Sequence, residues 1–327
     1  MKLEDKILRL GAAVILGAVI LRLCLGSLPQ KLIAFFRQPE VASTLVFVQT
    51  GRVVRFPEYM EMEQTQSTEE TVPVMAEKMP VLFTPGDTAL VQLSNSCGYS
   101  VDMESYLLSP LDWDLTGQSP TVLILHTHAT ESYKGSCDNE TAYRSLEEAK
   151  NMLAIGDQVA KLLEDAGIGV IHDRTLHDYP SYNGAYSHAR TQTQAYLQQY
   201  PSIRLVLDLH RDAMEDGKGK QISTTVTTQR GQSAQLMMVA GTNAGGLYHP
   251  AWKENMALAV KLHAQLEQQF PGICRPINFR SQRFNQDLST GAMLIEVGTA
   301  GNTLDEALLA AQCLADAIIS LAHGANP

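Results

Sequence analysis

The segment PTVLILHTH (residues 120–128) sets the fold of this 327-residue chain, together with the related segments IRLVLDLHRD (203–212) and AMLIEVG (292–298). Each is a short apolar run that carries or precedes a histidine or a glutamate, and such runs predict buried strands. Further β-like runs occupy 168–172, 222–229 and 235–240, and stretches with helical period occupy 147–166, 183–200, 252–270 and 304–321. Strands that alternate with helices of this length predict an α/β fold, with a mostly parallel twisted sheet flanked by helices.

Composition excludes several classes of protein. Hydrophobic residues make up 45% of the chain, enough for a sizeable core, which excludes wholesale disorder. Asp and Glu total 35 against 25 Lys and Arg, and a net charge of -10 argues against a nucleic-acid-binding protein. The five cysteines include no CxxC pair, so a cysteine zinc ribbon and a thioredoxin motif are both excluded. Any bound metal is therefore expected to have histidine and carboxylate ligands.

The N-terminal region predicts a membrane anchor. Residues 10–21 are uninterrupted apolar residues between Arg9 and Arg22, and the span approaches the roughly 20 residues of a membrane helix if Arg22 reaches the interface. A cleaved signal peptide is the alternative, but no small-x-small cleavage site follows the run. Basic residues before the run favour a cytoplasmic N-terminus. We therefore expect residues 1–28 to form a short cytoplasmic stub and a single-pass anchor, with the rest of the protein outside the cytoplasm.

Three further regions follow the predicted anchor. Residues 29–80 are expected to be an extracytoplasmic linker, acidic and flexible from about residue 58. Residues 81–118 carry short apolar runs broken by Pro-Gly and Ser-Asn, which predict a small strand-rich lead-in. The predicted α/β domain, residues 119–323, is where we expect the chemistry.

Candidate catalytic residues follow the predicted strands. His126 and His128 come directly after the strand at 120–125, and alternate residues of an extended backbone point the same way. His210 ends a second strand, and Glu296 lies inside a third, where an unpaired carboxylate is costly to bury. The carboxyl ends of strands are where α/β sheets collect their functional residues. Asp208 and Asp212 flank His210 and are expected to be exposed loop carboxylates, which either orient His210 or a neighbouring donor or have no role in the site.

Two histidines and a carboxylate, with water in the fourth position, form a common catalytic zinc site, in which a further carboxylate acts as base. The residues alone do not decide which carboxylate is the third zinc ligand. Its candidates are Glu131, Glu147 and Glu148. Glu147, at the start of the helix predicted from that residue, is placed to turn back toward the strand ends.

Four segments carry a resemblance to a known family: VQLSNSCGYSVDMESYLLSPLDW (91–113), VLILHTHATESY (122–133), LDLHRDA (207–213) and RFNQDLSTGAMLIEVGTAGNTLDEA (283–307). They resemble the stage II sporulation protein P family, peptidoglycan hydrolases of endospore-forming bacteria. The resemblance covers about residues 88–323, and the predicted anchor and acidic spacer also match that family's layout. A more distant similarity is to zinc-dependent N-acetylmuramoyl-L-alanine amidases.

The resemblance implies a zinc enzyme that cleaves the amide between the lactyl group of N-acetylmuramic acid and L-alanine, with some members also cutting stem-peptide cross-links. It implies Glu296 as the catalytic base and His128, Glu147 and His210 as zinc ligands, with His126 as the alternative first ligand. Arg283 and Asn285 are candidate contacts for the carboxylates and amides of the stem peptide.

The same resemblance implies peptidoglycan as the macromolecular substrate, stage II sporulation proteins D and M as partners, and the membrane of the sporulation septum and engulfing mother cell as the location. Two other functions remain open at the level of sequence. One is a zinc endopeptidase that acts only on peptide cross-links, and the other is a cell-wall-binding module without turnover.

Overall fold

The computed structural model describes residues 83–110, 114–116, 119–138 and 142–323. The predicted anchor (1–28) and linker (29–80) lie outside these ranges. No helix within the described ranges has both the length and the apolar character that a membrane crossing requires.

The described part of the chain is built around one seven-stranded sheet. Its strands are β1 (Leu93–Asn95), β2 (Val122–Leu125), β3 (Val170–His172), β4 (Leu205–Asp212), β7 (Leu236–Gly241), β8 (Ile277–Arg280) and β9 (Ala292–Thr299). Their order across the sheet is β1-β8-β7-β9-β4-β2-β3. Neighbours pair in parallel except β7 and β9, which are antiparallel. Strands β5 (Thr225–Thr228) and β6 (Gly231–Ala234) form a separate antiparallel hairpin. The predicted α/β fold with a mostly parallel sheet is thus confirmed.

Helices cover both faces of the sheet. They are α1 (Met103–Leu108), α2 (Met152–Asp165), α3 (Ala185–Gln199), α4 (Trp252–Gln269) and α5 (Leu304–His323), with short 3-10 helices at Pro85–Leu90, Glu148–Lys150 and Gln286–Leu288. The larger core lies between one face and α1, α2, α4 and α5. A smaller apolar cluster lies under α3 on the opposite face.

Alternation along the strands decides which side chains reach which core. In β2, Ile124 belongs to the larger core, while Leu123 and Leu125 belong to the cluster under α3. In β4, Leu207 and Leu209 likewise join the larger core, and Val206 faces α3. Along β2 and β4, the residues between those that point into the larger core therefore point toward α3.

The structure corrects the predictions about the lead-in and the sheet. The lead-in is not strand-rich: within its described residues it forms one 3-10 helix, the helix α1 and the three-residue strand β1. β1 pairs with β8 at the edge of the main sheet. β8 itself was not predicted: its residues Ile277–Arg280 alternate between apolar and polar, but four residues are too short a run to identify a strand from the sequence alone.

Candidate active site

Three parallel strands bring the candidate catalytic residues to one edge of the sheet. His128 lies in the turn that follows β2, His210 lies near the end of β4, and Glu296 lies in β9. β2 pairs with β4 and β4 pairs with β9, and the register sets His210 directly opposite Glu296. Leu209 points into the larger core, and successive strand residues point to opposite faces of the sheet. The side chain of His210 therefore points to the α3 face.

His128 and His210 meet at this edge, and Glu131 joins them. The two imidazole rings are perpendicular, with centroids 5.4 Å apart. Glu131 Oε2 lies 3.6 Å from Nδ1 of His210. All three residues are at least nine-tenths buried. Nδ1 of His128 has no hydrogen-bond partner, so the site contains a buried nitrogen that the described residues leave unsatisfied.

The carboxylates of Asp208, Glu131 and Glu296 act electrostatically on His210. Burial alone lowers the pKa of His210, but the charges of Asp208, Glu131 and Glu296 outweigh burial and raise it to about 10. Asp208 forms an ion pair with Nε2 of His210 at 2.9 Å. Burial raises the pKa of Glu296 to about 8, with the charge of Glu131 adding to the effect. Positive charge is therefore favoured at the centre of the cluster.

Asp208 is a buried strand residue, in contrast to the predicted loop carboxylate. Its Oδ1 accepts a hydrogen bond from the backbone N–H of Thr127 (2.8 Å), and its Oδ2 accepts one from the Thr127 hydroxyl (2.6 Å). These bonds hold the turn after β2 against β4. Asp208 thereby fixes the position of His128 as well as contacting His210.

Glu131 is held by two arginines. Its Oε2 accepts a bond from the backbone N–H of Arg211 (3.3 Å), and its Oε1 lies 3.6 Å from Nη1 of the same residue. Nη2 of Arg144 is 3.9 Å from that oxygen. Arg211 is anchored in turn, because its Nε donates to the carbonyl of Ser132. These contacts hold the Glu131 carboxylate in place beside His210.

Two tyrosines from the α3 side complete the wall of the site. The ring of Tyr182 stacks on His128 with a centroid distance of 4.4 Å and an interplanar angle of 5°. The Arg144 guanidinium lies over the Tyr182 ring, 4.9 Å from its centroid. Tyr186 contacts both histidines, and burial together with the charges of Asp208 and Glu296 raises its pKa.

His126 does not join the cluster, contrary to the expectation that both imidazoles point into one space. β2 ends at Leu125 and a turn follows, so His126 stays on the face of Ile124 while His128 leaves the strand direction. His126 Nδ1 donates to the carbonyl of Leu209 at 3.0 Å, and its Nε2 lies 2.9 Å from Nε2 of His172. Both of its nitrogens are therefore engaged beneath α2.

Glu147, proposed from the sequence as the third ligand, also lies apart from the cluster. It is exposed and forms an ion pair with Lys150 at 2.8 Å. The predicted helix starts later than expected because Asn151 is its N-cap, accepting a hydrogen bond from the N–H of Leu153. Glu147 consequently precedes a separate 3-10 turn, and it is Glu131 that lies beside His210.

Arg283 and Asn285 are both engaged in contacts within the protein. Nη1 of Arg283 lies 3.3 Å from the Tyr248 carbonyl and 3.3 Å from Oδ2 of Asp287. Asn285 has a positive φ of 57° and donates from Nδ2 to the carbonyl of Tyr186 at 2.8 Å. Asn285 thus supports the wall of the site through Tyr186.

The donor chemistry of the cluster fits a zinc ion. Two imidazoles and one carboxylate are a known zinc ligand set, and Nδ1 of His128 is buried without a partner. Within the described ranges, however, no three His, Cys, Asp or Glu side chains already surround a common metal position. Zinc is thus compatible with the residues and their charge, while the side chains are not arranged as a formed coordination sphere.

Sequence reasoning missed Asp208 as a buried contact of His210, and it gave no role to Arg144, Tyr182 or Tyr186. A signal was available for Asp208, because an aspartate inside an apolar strand needs a donor in the same way as Glu296 does. No local signal marks the other three residues. They reach the site from segments that only the folded chain brings together.

The model of the family described as stage II sporulation protein P matches residues 47–319. A relative named stage II sporulation protein P, from Bacillus subtilis (strain 168), is 29% identical over 218 residues, which are 62% of this chain and 51% of the relative. The chain therefore spans about half the length of this curated relative.

Solved structures similar to this chain include two amidases. The N-acetylmuramoyl-L-alanine amidase AmiC2 of Nostoc punctiforme is 16% identical with a TM-score of 0.36, covering 63% of this chain and 97% of its own. An N-acetylmuramoyl-L-alanine amidase from Clostridium difficile 630 is 16% identical with a TM-score of 0.38, covering 62% of this chain and 97% of its own.

Proposed function

Because the chain belongs to the stage II sporulation protein P family, we propose that it is a peptidoglycan hydrolase of sporulation that cleaves the N-acetylmuramoyl-L-alanine amide. One observation carries the proposal: His128, His210 and Glu131 meet at the ends of parallel strands, with Glu296 opposite His210. A hydrolase of this kind needs metal ligands and a separate base at one place, and this cluster supplies both.

We assign the zinc ligands to His128, His210 and Glu131. Glu131 replaces Glu147 in this set because it is buried beside His210, whereas Glu147 is exposed and paired with Lys150. Asp208 orients His210 and the turn that carries His128. Zinc would supply Lewis-acid chemistry, polarising the scissile carbonyl and lowering the pKa of a water molecule to about 7.

Glu296 is the proposed general base. Its Oε2 is buried and has no hydrogen-bond partner among the described residues, so it is available to a water molecule. The water oxygen forms a bond to the carbonyl carbon while its proton moves to Glu296. The carbon–nitrogen bond then breaks, and Glu296 passes the proton to the leaving amine of L-alanine. A pKa raised by burial suits a group that must both accept and donate a proton.

Mass spectrometry of digested peptidoglycan tests the function and its main alternative. An amidase releases intact stem peptides with a free L-alanine amine and leaves unsubstituted muramic acid on the glycan. A zinc endopeptidase instead separates cross-linked stems and leaves every L-alanine attached to the glycan. We expect the amidase products, formed by the wild-type protein and absent from the Glu296→Gln protein.

A membrane location outside the cytoplasm belongs to the same proposal. It depends on residues 1–28 and on the family resemblance, which also suggests stage II sporulation proteins D and M as partners. Protease added to intact protoplasts is expected to digest the domain of residues 83–323. A fully protected domain would show that the proposed orientation is reversed.

A further inference from the structure

Tyr186 stands inside the candidate site without a part in the proposed mechanism. It is the second residue of α3, and its ring lies beside those of His128 and His210. The ring is nearly parallel to that of His210, with centroids 6.4 Å apart and an angle of 19°. It meets the ring of His128 edge-on, at 5.6 Å and 86°. The aromatic ring is therefore packed against both proposed zinc ligands.

The backbone of Tyr186 is fixed by the segment before β9. Its carbonyl accepts a hydrogen bond of 2.8 Å from Nδ2 of Asn285. Asn285 is itself held, since its Oδ1 lies 3.4 Å from Nη1 of Arg190, and Arg190 pairs with Asp287 at 2.7 Å. Phe284 packs on the Tyr186 ring, with centroids 6.2 Å apart. The position of the phenol is therefore set by contacts on several sides.

The hydroxyl of Tyr186 differs from the other polar groups at this edge. It forms no hydrogen bond with any residue of the described ranges, and the side chain is only partly buried. Its ring contacts the rings of both His128 and His210, so the phenol belongs to the wall of the candidate site. The carboxylates of Asp208, Glu131 and Glu296 accept hydrogen bonds but cannot donate them when ionised, while a neutral phenol donates one.

Arg144 is the other donor near this space, and it is already occupied. Its Nη1 donates to the Thr130 hydroxyl at 2.7 Å and to the carboxylate of Asp178. Arg211 is likewise committed to backbone carbonyls and to Glu131. The hydroxyls of Tyr186 and Tyr182 form no hydrogen bond with the described residues. The side chain of Tyr182 is exposed, so Tyr186 offers the more buried of these two donors to a substrate.

We propose that the Tyr186 hydroxyl donates a hydrogen bond to the oxyanion that forms when water adds to the scissile carbonyl. The proposal rests on the proposed function, because that reaction places negative charge on the carbonyl oxygen. The phenol keeps its proton throughout, and no bond to Tyr186 is made or broken. A fixed donor of this kind stabilises the tetrahedral intermediate more than the substrate, so it acts on kcat more than on KM.

Tyr186→Phe is the test, since it removes the hydroxyl and keeps the ring against the two histidines. Tyr196→Phe is the matched control, because Tyr196 lies on the same helix and packs against the cluster under α3, away from the site. For each protein we would measure zinc content, kcat and KM on a muramoyl-peptide, and the affinity for a phosphinate analogue of the tetrahedral intermediate.

We expect Tyr186→Phe to lower kcat by roughly 10²–10³-fold with KM changed by less than about 3-fold, the usual cost of losing one oxyanion donor. Zinc content should equal that of the wild type, and affinity for the phosphinate should fall by a factor similar to that for kcat. Tyr196→Phe should match the wild type in all measurements.

Two results would overturn the inference while leaving the proposed function intact. Wild-type kcat and phosphinate affinity in Tyr186→Phe would show that the hydroxyl does not meet the oxyanion. Loss of zinc or of folding in Tyr186→Phe would show that Tyr186 only supports the histidines. If the wild-type protein itself releases no amidase products, the proposed function fails instead.

Discussion

Glu131 and Glu147 provide the sharpest comparison at the scale of single residues. Glu131→Gln removes a buried charge beside His210, so it should abolish stoichiometric zinc binding. Glu147→Gln breaks only an exposed ion pair with Lys150, and zinc binding should stay within about 2-fold of the wild type. Metal analysis after dialysis measures both. Loss of zinc from Glu147→Gln, with retention by Glu131→Gln, would restore the ligand set expected from the sequence.

Glu296→Gln separates the chemistry from metal binding. The amide keeps the volume of the side chain but cannot accept the proton of water, so kcat should fall by roughly 10²–10⁴-fold while zinc remains. Glu164→Gln, on the exposed side of α2, is the control with the same chemical change and should retain full activity. Unchanged turnover in Glu296→Gln would refute its assignment as the base.

The limits of sequence reasoning at this scale come from the turn after β2. An HxH pattern predicts that both imidazoles face one way, and this holds only while the backbone stays extended. Here β2 ends before His126, and the turn sends His128 toward α3. The sequence does contain His128, His210, Glu131 and Glu296 as candidates, since strand ends and buried charges are visible in it. Choosing among them requires the turn geometry.

At the scale of elements, α2 packs on the His126–His172 pair through Gly156. A Cβ atom at Gly156 would overlap Nε2 of both His172 and His126. Gly→Ala in a helix normally gains about 1 kcal/mol, but overpacking costs about 1–3 kcal/mol. Gly156→Ala should therefore lower the free energy of unfolding in urea denaturation. The loss should shrink in a His172→Ala background, and an equal loss there would contradict the proposed overlap.

Helix α4 carries a buried histidine that should make the protein sensitive to acid. Burial lowers the pKa of His263 to about 4, below its ordinary value of 6.5. Between these values the unfolded chain binds a proton that the folded chain does not, so stability falls as the pH drops from about 6.5 to about 4. At about pH 5 the loss should be roughly 2 kcal/mol.

His263→Leu removes this contribution and should be more stable than the wild type by an amount that grows as the pH falls. Urea denaturation at neutral pH and at about pH 5 measures the difference. A stability difference independent of pH would mean that His263 does not titrate as its burial implies.

The elements themselves were largely predictable, because strong periodicity marks α2, α4 and α5 and continuous apolar runs mark β2, β4 and β9. The start of α2 and the presence of β8 were not predictable, for separate reasons. Asn151 caps α2 by a bond that only the folded backbone makes. β8 alternates between apolar and polar residues over only four positions, which is too short a run to identify from the sequence, and its place depends on pairing with β1 and β7.

For the whole molecule, the lead-in should be inseparable from the α/β domain. β1 covers the edge of β8, and Leu107 and Leu115 from the lead-in are fully buried. Burying two leucines stabilises a fold by roughly 3–6 kcal/mol, and an uncovered strand edge promotes aggregation. A chain beginning at residue 119 should therefore be at least roughly 3 kcal/mol less stable than one beginning at residue 83. Equal stability by urea denaturation would support the separate lead-in expected from the sequence.

The central claim is that His128, His210 and Glu131 hold one zinc ion beside Glu296. An anomalous difference map at the zinc absorption edge, from crystals of the zinc-loaded protein, tests it most directly. We predict a single peak within about 2.0–2.2 Å of one atom from each of the three ligands, the usual length of zinc bonds to nitrogen and oxygen. A peak between His126 and His172, a peak at Glu147, or a map without any peak would contradict the claim.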